Sequence, residues 1–196
     1  MEKDTKSHII DIGVKLFQDK GMNKVSLNEV VKASNLSKGA FYHHFKNKDE
    51  LIIACVKAFW SDMAKQFLDI PFQEMSLKEV MDMLLEQYKY LLQSFEEENN
   101  NTFEFYMNIL FYIKNDEELL IMSKTYFQQY TDIFSHCIQK DQNKGLIKKE
   151  IDAVKLSRHL ITTSEGFALM AFSKIYDQPM EVIEDIYQQV YNSIKI

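Results

Sequence analysis

The stretch "SLNEVVKASNLSKGAFYHHFKNKDEL", Ser26 to Leu51, sets two short apolar-patterned segments on either side of "SNLS". Its first four residues form a capping box: the Ser26 hydroxyl is placed to accept from the Glu29 N–H, and the Glu29 carboxylate to reach back. Val30 and Val31 then fall on the buried side of a short helix. In the turn, Asn35 is among the few non-glycine residues that tolerate positive φ, and Leu36 is placed to plug the core. Ser37 caps a further helix running to about Phe45, and "NKDE" repeats the signal, with Asn47 opening a fourth helix. Two short helices joined by a tight turn and braced by a preceding helix make a helix-turn-helix. The second of them suits a DNA major groove, which at ~12 Å wide admits one helix.

Upstream, a helix is expected over about residues 5–19, with Ile9, Ile12, Leu16 and Phe17 as its inner stripe and Gly21 closing it. Downstream, the fourth helix continues through Trp60 to about Leu68 and stops near Pro71. "SLKE" at Ser76–Glu79 caps a fifth, which ends in the polar run "EEENNN". Helices follow over about 102–114 and 116–141, and Gly145 breaks the chain. Asp152 caps an eighth, to about Lys174, and Pro179 fits the first turn of a ninth. The expected fold is all-α, about nine helices: a three-helix head over residues 1–50, and a larger body over 51–196. Helix 4 belongs to both parts and joins them.

Composition agrees. Of 196 residues 46% are hydrophobic, enough for a real core, while 2 Pro and 5 Gly are too few for a turn-rich sandwich or barrel. The net charge of −6 is uneven: residues 1–51 carry nine Lys against seven Asp and Glu, while the rest carry 14 basic and 22 acidic groups. That asymmetry points the N-terminal part toward a polyanion. Cys55 and Cys137 are two isolated thiols, which suits a reducing compartment. "MEKDTKSH" lacks the apolar stretch of a signal peptide, and the densest apolar runs are far short of the ~20 residues that span a bilayer. A soluble cytoplasmic protein with no membrane partner is expected.

The residue types around the turn suit DNA. Ser37 and Lys38 sit where helix N–H groups point outward and attract phosphate, and Gly39 lets the backbone come close. Tyr42 can donate its hydroxyl to a phosphate, and His43 can reach a base edge or phosphate. Lys48, in a first helical turn, is unfavourable for the helix dipole unless a phosphate docks there. Ser26 is first a cap and second a candidate phosphate contact.

These residues carry a resemblance. Residues 8–51 resemble the DNA-binding domain of the TetR family of bacterial transcription regulators, through Leu16-Phe17, Gly21, Val30, Leu36-Ser37-Lys38-Gly39, Phe41-Tyr42, Phe45, Lys48 and Leu51. Fainter echoes lie at Gly145, at Ile151-Asp152 and at Glu165-Gly166. Ser34-Asn35 replaces the Ala-Gly usual in the turn, and Val25 stands where the family often has Thr. The resemblance implies a repressor that binds a palindromic operator in double-stranded DNA as a homodimer. Helices 8 and 9 would pack against their copies, with Gly166, Phe167, Met170 and Tyr187 as candidate interface residues. It also implies an effector that enters the body and releases DNA.

The chain has 14 Phe, 10 Tyr and 1 Trp, and only Phe17, Phe41, Tyr42 and Phe45 precede residue 52. Buried phenols need partners, and aromatic walls suit a small hydrophobic or aromatic effector. Candidates are Trp60, Tyr88, Tyr106, Phe111, Tyr126 and Tyr130, with a plain aromatic core as the competing account. No cofactor or metal is expected, since no His and Cys fall at ligand-like spacing. Two further readings compete. One is a small-molecule binding module whose head is vestigial or binds protein. The other is a helical enzyme using His136 or His159, disfavoured because no nucleophile elbow or phosphate loop accompanies them.

Overall fold

The computed structural model describes residues 4–97 and 102–196. Its helices are α1 (Thr5–Lys20), α2 (Leu27–Ala33), α3 (Lys38–His44), α4 (Lys48–Leu68), α5 (Leu77–Glu97), α6 (Thr102–Asn115), α7 (Glu117–Asn143), α8 (Ala153–Phe172) and α9 (Pro179–Ile194). Among the described residues there is no strand, only an isolated antiparallel bridge between Ile147 and Lys195. A 3₁₀ turn at Phe72–Glu74, not foreseen, follows Pro71. The end of the "EEENNN" run, residues 98–101, lies outside the described residues.

The chain divides into two compact units. Unit 1 joins residues 1–69 to 99–123, and unit 2 joins 70–98 to 124–196. This division by contacts does not follow the functional boundary expected at residues 50 and 51. By this packing division α4 lies wholly in unit 1, and α7 has residues in both units.

In unit 1, α1 packs against α2, α4 and α6. Its buried residues are Ile9, Gly13 and Phe17, one per turn, while Ile12 and Leu16 are half-buried. Gly13 is there for space: a Cβ would lie 2.6 Å from Cys55 Sγ on α4. Burial holds the Cys55 thiol well above its ordinary range, the Asp11 carboxylate adding to the effect, so it packs as a small apolar group. Val30, Val31, Phe41, Phe45 and Leu51 complete the core around the turn. Each such side chain contributes about 1.5–3 kcal/mol of burial. Lys57 on α4 pairs with Glu118 and, at 3.5 Å, with Asp116, which caps α7 by accepting from the Leu119 N–H. Partial burial works against the Lys57 charge, yet the two carboxylates raise its pKa above the ordinary value.

In unit 2, α5 packs against α8 and α9. The Ser76–Glu79 capping box forms as expected, and the buried Asp141 carboxylate of α7 accepts the Leu77 N–H at 2.8 Å. Gly145 adopts φ 72°, a conformation that favours glycine, and ends the α7 excursion. Asp152 caps α8 by accepting from the Lys155 N–H, and Pro179 occupies the first turn of α9.

Candidate nucleic-acid interface

The turn forms as its residues dictate. Ser26 accepts the Glu29 N–H at 3.3 Å, and the Glu29 carboxylate accepts the Ser26 N–H at 2.8 Å and its hydroxyl at 2.9 Å. Those bonds hold the Glu29 carboxyl below its usual range. Asn35 takes φ 55°. The residue that plugs the turn is Ser34, 2% exposed, whose hydroxyl donates to the Val31 carbonyl, whereas Leu36 is half-buried. From α1, a His8 ring nitrogen lies 3.2 Å from the Ser34 carbonyl oxygen.

Ser37 caps α3, accepting the Ala40 N–H at 3.2 Å. The helix then divides cleanly into two sides. Phe41 is fully buried, and Phe45, which follows the last turn, is 2% exposed. Lys38, Gly39, Tyr42 and His43 are exposed on the opposite side, where their i, i+4 spacing makes them one face. Nothing lies within 4 Å of a Cβ added at Gly39, so this glycine serves no packing within the chain and leaves the backbone open to approach. Tyr42 is 40% exposed, its ring edge-on to Phe41 at 5.7 Å, so the core fixes the ring while leaving the side chain accessible.

Two candidates differ from expectation in detail. Both the hydroxyl proton and an oxygen lone pair of Ser26 are engaged by Glu29, so it works first as a cap. At the start of α4, the Glu50 N–H donates to Asn47 and the Lys46 N–H to the Glu50 carboxylate. Asp49 and Glu50 already answer the helix dipole there. Lys48, half-buried, therefore offers its ammonium rather than a nest of free N–H groups. The sequence reading missed Lys6. Its ammonium sits 5.9 Å from the centroid of the Phe45 ring, adding a positive charge beside the C-terminal end of α3. A lysine in a first turn that holds no acidic residue was the available signal.

The other candidates fall into different places. Tyr88, Tyr126 and Tyr130 belong to unit 2, whereas Trp60, 3% exposed, and Phe111, 64% exposed, belong to unit 1. Tyr106 lies on α6, with its side chain outside the described residues. On α8, Gly166 and Met170 are exposed, while Phe167 is buried against the rings of Tyr88 and Tyr176. Tyr187 is likewise buried, its hydroxyl 2.7 Å from Ser164 Oγ. The side chains of Phe167 and Tyr187, expected at an interface, are thus spent inside the chain, and the apolar residues α8 leaves open nearby are Leu169 and Met170. His136 and His159 are exposed. Among the described residues no three His, Cys, Asp or Glu side chains gather as a metal site, and no helix is long and apolar enough to cross a membrane.

Comparison with known proteins agrees with this geometry. Residues 9–55 match the model of the family "Bacterial regulatory proteins, tetR family". Over 92 residues the chain is 29% identical to the transcriptional regulator AcrR of Shigella flexneri, a match covering 47% of this chain and 42% of that one. It is 29% identical over 139 residues to the transcriptional regulator SAR2658 of Staphylococcus aureus, covering 63% of this chain and 75% of that one. A crystal structure of a TetR transcription regulator from Haloarcula marismortui superposes with TM-score 0.75 at 13% identity, over 98% of this chain and 99% of that one, which shows the shared fold. Both named relatives are helix-turn-helix transcriptional regulators. Residues 9–55 are a helix-turn-helix DNA-binding domain of the TetR family of bacterial regulatory proteins.

Proposed function

We propose that the protein is a repressor that binds a palindromic operator as a homodimer and is released by a small hydrophobic or aromatic effector. The observation that carries this reading is the two-sided character of α3: Phe41 anchors it, and Lys38, Gly39, Tyr42 and His43 share its exposed face. In this reading His43 meets a base edge, and Lys38, Tyr42 and Lys48 meet phosphates, with Ser26 and Ser37 orienting the helix ends. Homodimerisation is supported by the open strip on α8, where a Cβ added at Gly166 would meet nothing within 4 Å and Leu169 and Met170 stand exposed. In this reading the effector is taken up in unit 2, the unit to which Tyr88, Tyr126 and Tyr130 belong.

Fluorescence anisotropy against the DNA flanking its own coding region tests the reading. Sequence-preferring binding at low salt is expected, and its absence overturns the proposal. Lys48→Ala should weaken binding to every sequence and lower the slope of log K against log salt by about 1. An unchanged slope removes the phosphate role given to Lys48.

A further inference from the structure

We infer that the groove between α5 and α9 is a binding site for a short, extended peptide with free termini. The site goes beyond the effector reading, since none of Tyr88, Tyr126 and Tyr130 lines it. The groove holds about 420 Å³, within the range of small-ligand sites. Its two walls run antiparallel and are pinned at both ends. At one end the Asp141 carboxylate accepts the Leu77 N–H that opens α5. The Asp141 carbonyl accepts from Leu146, next to the Ile147 that bridges Lys195 at the close of α9. At the other end the Tyr88 hydroxyl of α5 donates to the Ser164 carbonyl at 3.3 Å, and the Tyr187 hydroxyl of α9 lies 2.7 Å from Ser164 Oγ. Lys78 and Lys195 therefore share one end of the groove, and Glu184 lies toward the other.

The floor is apolar: Met81 and the Tyr187 ring are buried, and Leu85 is half-buried. Above it α9 sets Glu184, Gln188 and Asn192, four residues apart on one face, and then Lys195, all exposed. Among the described residues these four side chains have no hydrogen bond or ion pair, whereas Lys78 is held by Asp82. At about 1.5 Å per residue, Glu184, Gln188 and Asn192 stand about 6 Å apart, and Glu184 and Lys195 about 16 Å. In an extended peptide, residues two apart repeat every ~6.6 Å, and five residues span about 16 Å. The two scales match. A side-chain amide carries both a donor and an acceptor, as a peptide group does. Glu184 then answers an α-ammonium and Lys195 an α-carboxylate, while alternate side chains meet the floor. A fatty carboxylate would satisfy Lys195 alone and lay hydrocarbon along two amides and a second carboxylate.

Nuclear magnetic resonance titration of the isotope-labelled whole protein tests this. The probes are a pool of pentapeptides in which Leu, Met or Phe alternates with Ser, the same pool acetylated and amidated, and decanoate. The free pool should shift the side-chain amide signals of Gln188 and Asn192 and bind at least tenfold tighter than the capped pool. Lys195→Gln and Glu184→Gln, at exposed positions whose side chains hold nothing in the fold, should each reduce that preference severalfold. Equal binding of the free and capped pools, no binding at millimolar concentration, shifts confined to other helices, tighter binding of decanoate, or an unchanged preference in either variant would each overturn the inference. So would movement of the same two signals on concentrating the protein alone, which would make a second copy of the chain the occupant. Failure of the operator assay would remove the regulator reading without touching this result.

Discussion

On α3, Tyr42 is 40% exposed with its ring braced against Phe41, whereas on α9 Tyr187 is 3% exposed and bonded through its hydroxyl to Ser164. The same side chain serves opposite ends. On the outer face of α3 in unit 1, Lys38, Tyr42 and His43 lie outside a small apolar core and are available to a partner, Ser34 being the buried exception in the turn. In unit 2, hydroxyls and carboxylates go inside: Ser135 and Ser157 meet at 3.1 Å, and Asp141 holds the start of α5. A polar group offered outward can be changed with little effect on the fold. One that is buried must be matched, and losing its match costs more than the bond was worth. The contrast teaches where substitutions should affect stability and where they should affect recognition alone.

The largest expected effect marks the limit of that contrast, because unit 1 is tolerant only on its outer face. Gly13→Ala drives a methyl against Cys55 Sγ, 2.6 Å away, and should destabilise by about 1–3 kcal/mol in thermal or denaturant melts. Combining it with Cys55→Ala should recover most of the loss, and additive effects in the double-mutant cycle would show that the two do not clash. Next in size is a paired substitution that probes the comparison itself. Tyr187→Phe removes the partner of a buried Ser164 hydroxyl and should cost about 1–2 kcal/mol of stability. Tyr42→Phe should stay within about 0.5 kcal/mol in the same melts yet weaken operator binding in anisotropy. If the two variants melt alike, the division between inward and outward phenols fails.

The smallest effect is a titration. Burial, and then Glu165, pushes Tyr126 up to about 12; Tyr187 also rises to about 12, chiefly through burial. Burial also carries Tyr130 well above its ordinary value of 10.0. An acid whose pKa is raised by folding stabilises the fold fully below its unfolded value and loses that contribution as pH rises through the folded one. Unit 2 should therefore weaken between about pH 10 and 12, and these phenols should ionise late in ultraviolet absorbance. Ionisation of all the tyrosines together near their ordinary pKa, with the fold still intact, would contradict the burial.

The head was legible in the sequence because its constraints are local. Ser26 to Glu29, Asn35 and Ser37 act within a few residues of themselves, and each forms as its type and spacing require. Gly13 was not legible, since its reason is Cys55, far along the chain and on another helix. Ile12 and Leu16 were favoured for the inner stripe on apolarity, yet the closest seam runs through the glycine. Phe167 and Tyr187 were expected at a surface. Spacing on α8 and α9 cannot tell which face meets the rest of the same chain, and the structure turns both inward. Trp60 and Phe111 likewise shared a residue type with the tyrosines of unit 2 without sharing their location.

The central claim is that the exposed face of α3 meets DNA. The direct test is amide chemical-shift mapping of the labelled protein as operator duplex is added. The largest changes should fall on Lys38, Gly39, Tyr42 and His43, with Lys48 close behind. If those amides stay still while others move on binding, the interface lies elsewhere and the assignment of α3 is wrong.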